Sequence, residues 1–378
     1  MKPKLSIIIP CYNCEKTLEE AVDSCYTQNL DNFEIIMVDD ASTDNTRELI
    51  QKLAKIHKEI RVIYHDKNKG GGAARNTGIN NSSGELIFCL DSDDLLPKGT
   101  LGKMLKYREE KKCDGVAIHR SIKFNNTNIK NISRIENFGY VGEQIPPESL
   151  FQKITEKLCP LYYVFMFTKK AFETAGGYPE DHGFDTQGFA WRFLAKNLVA
   201  FTCPETEYLH RINYSKSYYI REYTSGRINY NWQKILEEFL YLFTEPIQKT
   251  ILSFNIKNPT INILDEIQKT PAPFITTPFL ITNNNIAINN QNPYSVYWAA
   301  NEHLKKSDFT KALPLFIKIK ASGLNYEIID RKIDICEQAL NTKVNYPEIE
   351  KIFYDKYLRK INSPISLYLR LIKKIFKR

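Results

Sequence analysis

Hydrophobic positions in the first 120 residues alternate between two spacings. Leu5–Ile9 is an unbroken apolar run of strand length, and Phe33–Val38 is another. Between them Leu18, Ala21, Val22 and Cys25 recur at i, i+3, i+4 and i+7, one face of a helix, with Asn13 placed to cap it. Behind the second run Leu49, Ile50, Leu53 and Ile56 repeat the helical spacing, with Ser42 or Asp44 as the cap. Arg61–Tyr64, Leu86–Leu90 and Val116–Ile118 supply three more short strands. Strand–helix–strand alternation needs crossover connections, so the pattern predicts an α/β fold with a mostly parallel central sheet and helices on both faces.

Further along, the pattern loosens. Residues 121–140 are Asn-rich and read as loop, and residues 150–245 are mixed, with helical spacing at 187–196 and around 231–243. Residues 255–293 contain Pro-Ala-Pro and the cluster Asn283–Asn292, the composition of a linker. From 295 to 340 the spacing turns helical again. Trp298, Ala299 and Leu304 precede a Ser307-Asp308-Phe309 turn and then Ala312, Leu313 and Phe316, which resembles one tetratricopeptide-type hairpin. Ser363 and Pro364 can start a last helix. Its Ile365, Tyr368, Leu369, Ile372 and Ile375/Phe376 stripe faces away from Ser366, Arg370, Lys373 and Lys377. The organisation expected is an α/β sheet domain over 1–245, an irregular segment over 246–294, a helical appendage over 295–350 and a basic amphipathic helix over 351–378, so that a mainly helical C-terminal region follows the sheet domain.

Composition narrows the classes. With 43% hydrophobic and 25% charged residues in 378, the chain is neither disordered nor fibrous and is long enough for a sizeable core. The longest apolar stretch, Leu158–Phe167, is too short for the roughly 20 residues a spanning helix needs, and the N-terminal MKPKLSIIIPCYN does not read as a signal peptide. Eight cysteines are too dilute for a disulfide scaffold and are expected to be reduced. The net charge of +8 is carried by residues 351–378, where nine Lys/Arg face one acid; the other 350 residues are neutral. That distribution excludes a general nucleic-acid-binding surface and points to a basic tail suited to an anionic membrane.

In open α/β sheets ligands bind beyond the carboxyl ends of the strands, so the residues directly after each strand are the informative ones. No GxGxxG or GxxxxGK[ST] follows any strand, which disfavours a dinucleotide fold and a phosphate-loop NTPase. Pro10-Cys11-Tyr12-Asn13 follows the first strand and offers an aromatic ring to a nucleobase. Asp39-Asp40 follows the second, offering an acceptor to a base N–H or a ribose hydroxyl. Asp91-Ser92-Asp93-Asp94 follows the fourth. Three carboxylates in four residues repel one another unless a cation intervenes, and carboxylates with substrate phosphates are the usual ligands of Mg²⁺ or Mn²⁺. Taken singly, each has a plainer explanation as packing residue, turn former or helix cap; the conjunction at successive strand ends is what carries weight. Cys11-x-x-Cys14 has no second pair at zinc-finger spacing and is not read as a metal site.

Together SIIIPCYN, EIIMVDDASTDNT, GGGAARNTGI and LIFCLDSDD strongly resemble a family 2 glycosyltransferase domain of the GT-A fold, densely over about residues 4–120 and more loosely over 160–220. The resemblance implies transfer of a sugar from a nucleotide-diphosphate donor with inversion at the anomeric carbon. It places Pro10, Tyr12 and Asp40 around the donor's base and ribose, and Arg75 near its phosphates. Asp91, Asp93 and Asp94 fall on the DXD-type motif, with Asp93 near ribose and metal, Asp94 the more direct metal ligand, and Mn²⁺ or Mg²⁺ the cofactor. The family's GGY loop is present as Gly176-Gly177-Tyr178, but only one acid, Asp185, stands where an acidic pair is usual. Asp185 is the expected base for the acceptor hydroxyl, with Asp181 a weaker substitute and a helix-capping role for Asp185 the plainer alternative. His210 is a metal-ligand candidate or a structural histidine, and Arg211, Ser215 and Ser217 are candidates for touching phosphate.

These features give two expectations of different class. One is a metal-assisted inverting glycosyltransferase using a nucleotide sugar, with UDP as the nucleotide, and a growing surface glycan such as capsule or lipopolysaccharide, free or lipid-linked, as acceptor. It would be cytoplasmic and peripheral on the inner membrane face, and bind no nucleic acid. The other is a non-catalytic nucleotide-binding scaffold that recruits partners through its helical C-terminal region. A nucleotidyltransferase is disfavoured because PCYN stands where a Gly-rich loop would open that fold.

Overall fold

A computed structural model of the chain describes residues 3–125, 132–147, 149, 161, 164–212, 227–256, 261–269, 293–324 and 326–350. The chain divides into two compact units, residues 1–214 and 215–378.

The first unit is built on one sheet. Strand β1 (Leu5–Cys11) is central, flanked by β2 (Phe33–Asp39) and β4 (Leu86–Cys89), with β3 (Ile60–Tyr64) outside β2. These four strands are parallel. The chain moves outward from β1 to β3 and then crosses to the other side of β1, which makes the switch point where α/β sheets open a crevice at the strand ends. Helices α1 (Leu18–Tyr26), α2 (Thr46–Ile56) and α3 (Gly71–Asn80) connect them. Leu5, Ile7, Ile8 and Ile9 are wholly buried because both faces of β1 are covered, which explains why the strand reads as a continuous apolar run.

The helical stripe of α1 is as its spacing predicts: Leu18, Ala21, Val22 and Cys25 are its buried residues. Asn13 does not cap it. It sits at φ +51° and its Oδ1 accepts from the Thr43 backbone N–H at 2.8 Å, tying the loop after β1 to the loop after β2. Of the α2 stripe, Ile50 and Leu53 are buried but Ile56, in the last turn, is 61% exposed. Asp44 receives the Thr46 N–H at 3.0 Å and so serves the start of α2.

After α4 (Thr100–Lys111), β5 (Gly115–Asn125) extends the sheet and is followed by β6 (Ile132–Asn137). Here the loop expected over 121–140 is corrected. β8 (Ala200–Ile212) pairs in parallel with β5 along Arg120–Asn125, a partner some 80 residues away that local composition cannot announce. Strand β7 (Phe165–Thr168) lies antiparallel between β4 and β5. It leads into α5 (Lys169–Ala175), which is followed by α6 (Asp185–Ala195). Phe165, Phe167, Phe172, Tyr178 and Phe189 form one aromatic cluster, with Tyr178 and Phe189 stacked at 4.3 Å.

The second unit is helical: α7 (Ile228–Glu238), α8 (Glu245–Ser253), α9 (Ile263–Gln268), α10 (Pro293–Lys305), α11 (Phe309–Ala321) and α12 (Glu327–Thr342). The division into compact units lies at 214/215, inside the expected 1–245 span, and α8 and α9 fall in or at the edge of the segment expected to be irregular; residues 270–292 lie outside the described residues. The Ser307 turn joins α10 to α11 with Ser307 at φ +57°. The unit buries an ionic cluster. Lys234 Nζ lies 3.4 Å from Glu350, Lys332 Nζ lies 3.4 Å from Glu237, and Tyr346 hydroxyl is shared by both lysines. The basic helix expected over 351–378 lies outside the described residues.

Candidate active site

Sheet register assembles the site. Cys11 is paired with Asp39, and Asp39 with Tyr64. The next residue on each strand, Tyr12, Asp40 and His65, therefore leaves the sheet on the same rim. Backbone bonds from Asp40 N–H to Cys11 O (2.8 Å) and from His65 N–H to Asp39 O (2.9 Å) hold that rim together. Pro10 is half-buried within β1 and Tyr12 projects from the rim, 50% exposed.

The two aspartates after β2 point to different tasks. Asp39 is wholly buried and neutralised by Arg47, whose Nε and a terminal nitrogen both reach it at 3.0 Å. Asp40 is also buried, but its partners are the glycine-rich segment and a histidine. Lys69 and Gly70 N–H donate to it at 2.8 Å each, and His65 Nδ1 lies 2.7 Å from Oδ1. Gly70, at φ +93°, makes the turn that presents these two N–H groups and opens α3.

Arg75, on α3, joins the two halves of the site. Its guanidinium bridges Asp91, after β4, and Asp185, the first residue of α6, the latter at 2.5 Å. It also lies 5.7 Å over the Tyr178 ring. Its Nε is buried with no partner among the described residues, an unspent donor. Asn76, one residue on, exchanges bonds of 2.9 Å with the Tyr178 backbone in both directions, clamping the GGY loop to α3. Burial pushes Asp185 above the ordinary carboxylate value and Asp91 adds to this, while Arg75 opposes them.

Beyond Asp91 the acidic turn divides in two. Asp94 is buried and both its oxygens are engaged: Oδ1 accepts the Arg211 N–H at 2.7 Å, and Oδ2 lies 3.1 Å from His210 Nδ1. The paired backbone bonds between Leu95 and Leu209, each 3.0 Å, hold this part of β8 against the turn. Arg211 Nε then donates to the Asp93 backbone carbonyl at 2.8 Å and its guanidinium pairs with Glu20. Burial works against charge on His210, but Asp94 outweighs it and the imidazole is pushed up to about 9. Asp93 opens to solvent at the rim, beside Asp91 and the buried Asp94. Desolvation first, then the charges of Asp94 and Asp91, push it up to about 8.

Among the described residues no three His, Cys, Asp or Glu side chains converge as a ready metal cage. The donor chemistry still fits a hard divalent cation. Such ions are commonly held by one or two carboxylates with substrate phosphates supplying the rest, and Asp93 is a carboxylate crowded by negative charge. With Nδ1 turned to Asp94, His210 is held in the orientation usual for an imidazole that ligates through Nε2. Asp94 is accordingly placed to orient His210.

Strand ends one, two and four supplied Tyr12, Asp40, Asp91, Asp93 and Asp94 from sequence. Sequence reasoning passed over His65, Arg47 and Asn76. His65 was within reach, being the first residue after the third strand, while the other two depend on contacts that only the fold creates. Ser215 and Ser217 lie outside the described residues.

The chain matches the family model described as Glycosyl transferase family 2 over residues 6–174. It is 39% identical over 112 residues to the putative teichuronic acid biosynthesis glycosyltransferase TuaG of Bacillus subtilis, covering 30% of this chain and 44% of TuaG. It is 38% identical over 117 residues to the glycosyltransferase GlyG of Streptococcus pneumoniae, covering 31% of this chain and 38% of GlyG. The match thus spans less than half the length of these curated relatives. Among solved structures, S. aureus TarS 1-349 in complex with UDP-GlcNAc superposes with a TM-score of 0.51 at 18% identity, covering 91% of this chain and 93% of that one, a likeness of fold.

Proposed function

We propose, from the premise that residues 6–174 are a glycosyl transferase family 2 domain, that the protein is an inverting glycosyltransferase. It moves a sugar from a nucleotide-diphosphate donor, with UDP as the nucleotide, to a hydroxyl of a growing surface glycan. The observation that carries this reading is the Asp91–Arg75–Asp185 bridge. It brings a strand-end carboxylate and the acid that opens the helix after the GGY loop, 94 residues apart in sequence, to a single guanidinium.

In this reading Pro10, Tyr12 and Asp40 take the base and ribose, and Arg75 faces the diphosphate with its unspent Nε. Asp185 accepts the proton of the acceptor hydroxyl as that oxygen attacks the anomeric carbon from the face opposite the diphosphate. Its raised ionisation moves it toward the range where a carboxylate works as a base near neutral pH. Asp93 and His210, with Asp94 behind the imidazole, would hold a divalent cation, Mn²⁺ or Mg²⁺. That ion, when bound, supplies positive charge to the leaving diphosphate.

The acceptor class rests on the surface-polymer name borne by TuaG and on the basic tail. No helix among the described residues is long and apolar enough to cross a membrane. The cationic face of residues 351–378 supports peripheral contact with an anionic leaflet, the inner face for a cytoplasmic enzyme.

The test is a panel of nucleotide sugars and glycan acceptors, with and without Mn²⁺, reading both nucleoside diphosphate and glycan product. Asp185→Asn keeps the side-chain shape but not the base, and is expected to lower transfer by about 10²–10⁴-fold with donor binding retained. Full transfer by that variant removes Asp185 from the role. Nucleotide binding without turnover across the panel identifies the scaffold instead.

A further inference from the structure

We propose that His65 is the positioning residue of the nucleobase subsite: it fixes the Asp40 carboxylate so that one remaining lone pair faces a ring N–H of the donor's base. This rests on the reading of Asp40 as the base contact.

Counting lone pairs shows why. An ionised carboxylate offers about four acceptor sites. In Asp40, Oδ1 accepts from His65 Nδ1 at 2.7 Å and from Lys69 N–H at 2.8 Å, and Oδ2 accepts from Gly70 N–H at 2.8 Å. One site is left, on Oδ2. Because the carboxylate only accepts, Nδ1 carries the hydrogen, a tautomer assigned from its partner. Nε2 lies 3.0 Å from the Thr77 hydroxyl on α3. His65 is buried, so water does not substitute for either contact. The ring therefore spans Asp40 and the same helix that carries Arg75, and links the base end of the site to its phosphate end.

A base with a ring N–H, as at uracil N3, can donate to that lone pair. Cytosine presents a lone pair at its own N3 and is repelled by it. His65 thus supports discrimination between the two as well as affinity.

The experiment titrates UDP and CDP calorimetrically into the full chain and into His65→Phe, His65→Asn, Asp40→Asn and Thr77→Val. His65→Phe keeps bulk and removes the donor. Loss of one charge-assisted hydrogen bond predicts roughly tenfold weaker UDP binding, with CDP shifted by less than about twofold, so selectivity collapses. His65→Asn, whose amide can place an N–H near the position of Nδ1, restores most of it. In transfer assays the Phe variant raises the donor KM and leaves kcat nearly unchanged. A merely structural role is shown, and the proposal overturned, if UDP and CDP weaken together with the melting temperature. It is equally overturned if His65→Phe binds UDP like the wild type while Asp40→Asn does not. Should UDP fail to bind the wild type, or Asp40→Asn bind it normally, the reading of Asp40 falls and this proposal with it. If the Phe variant does not fold, Thr77→Val decides: a reduced UDP-to-CDP preference supports the proposal and an unchanged preference refutes it.

Discussion

Gly72, in the first turn of α3, lies against the loop that carries Tyr178 and Pro179. A Cβ built on it would meet the Pro179 carbonyl oxygen at 2.0 Å and the Asp185 Cβ at 3.1 Å. The first contact is to backbone, so no rotamer change relieves it. Restoring even a tight separation of about 3 Å requires α3 and the loop to part by about 1 Å. Asn76 holds the two together through its double bond with Tyr178, so the displacement is resisted there and falls on the segment between Pro179 and Asp185. Overpacking of this kind costs about 1–3 kcal/mol of stability. A misplacement of about 1 Å at a reacting group costs about 10²-fold in rate. Gly72→Ala is therefore expected to remain folded and to bind the donor nucleotide, while transfer falls about 10²-fold. The assay pairs thermal unfolding and UDP titration with initial rates of glycan formation under saturating donor. Wild-type rates in a folded Gly72→Ala protein would refute the argument, because they would mean that the position of Asp185 relative to α3 does not matter to the reaction.

Three further outcomes follow from the charges. Asp185 is raised above the ordinary aspartate value by burial, and a base must be ionised to work. The acidic limb of the kcat/KM profile for transfer is thus expected above the roughly 3.9 of a free aspartate, and a limb at or below that value would contradict the environment described for it. In the second unit, burial alone would raise Glu350, but Lys234, Lys332 and Arg331 outweigh it and hold the carboxyl down to about 2. Glu350→Gln removes one of the two buried acids, leaving Lys234, Lys332 and Arg331 to share Glu237, and is expected to cost about 3–5 kcal/mol in urea unfolding; a loss under about 1 kcal/mol would show that the cluster relaxes or hydrates. Replacing Arg370, Lys373, Lys374 and Lys377 with Gln is expected to abolish co-flotation with vesicles rich in anionic phospholipid, at about 1 kcal/mol per charge; retention equal to wild type would remove the tail from membrane contact.

What the sequence disclosed and what it withheld differ by range of interaction. The α1 stripe and the β1 run were legible because burial there is set by local periodicity, and the rim residues Tyr12, Asp40 and Asp91 because a parallel sheet puts its chemistry directly after its strands. Ile56 misled because it is the last residue of α2 and stays exposed there, so spacing alone overstated the buried stripe. The 121–125 stretch misled in the other direction. Its Lys123 and Asn125, at the start of an Asn-rich run, argue for loop, but Ser121 and Phe124 are buried where β8 pairs with it.

The acidic turn makes the same point in chemistry. Asp91, Asp93 and Asp94 look interchangeable in a string, and it is the family resemblance that implies Asp94 as the more direct metal ligand. The fold gives each a separate environment through residues that no local pattern connects to it: Arg75 for Asp91, solvent and crowding for Asp93, His210 and the Arg211 amide for Asp94. Two of those partners come from β8, 116 and 117 residues beyond Asp94. Their arrival depends on the Leu95–Leu209 backbone pairing, which fixes the turn against the strand. A motif therefore identifies which residues meet at the strand ends, whereas the division of labour among them is decided by the strand that returns last to the sheet. That is why His210 and Arg211, candidates for metal and phosphate in the sequence, are found engaging Asp94 and leave Asp93 as the carboxylate open at the rim.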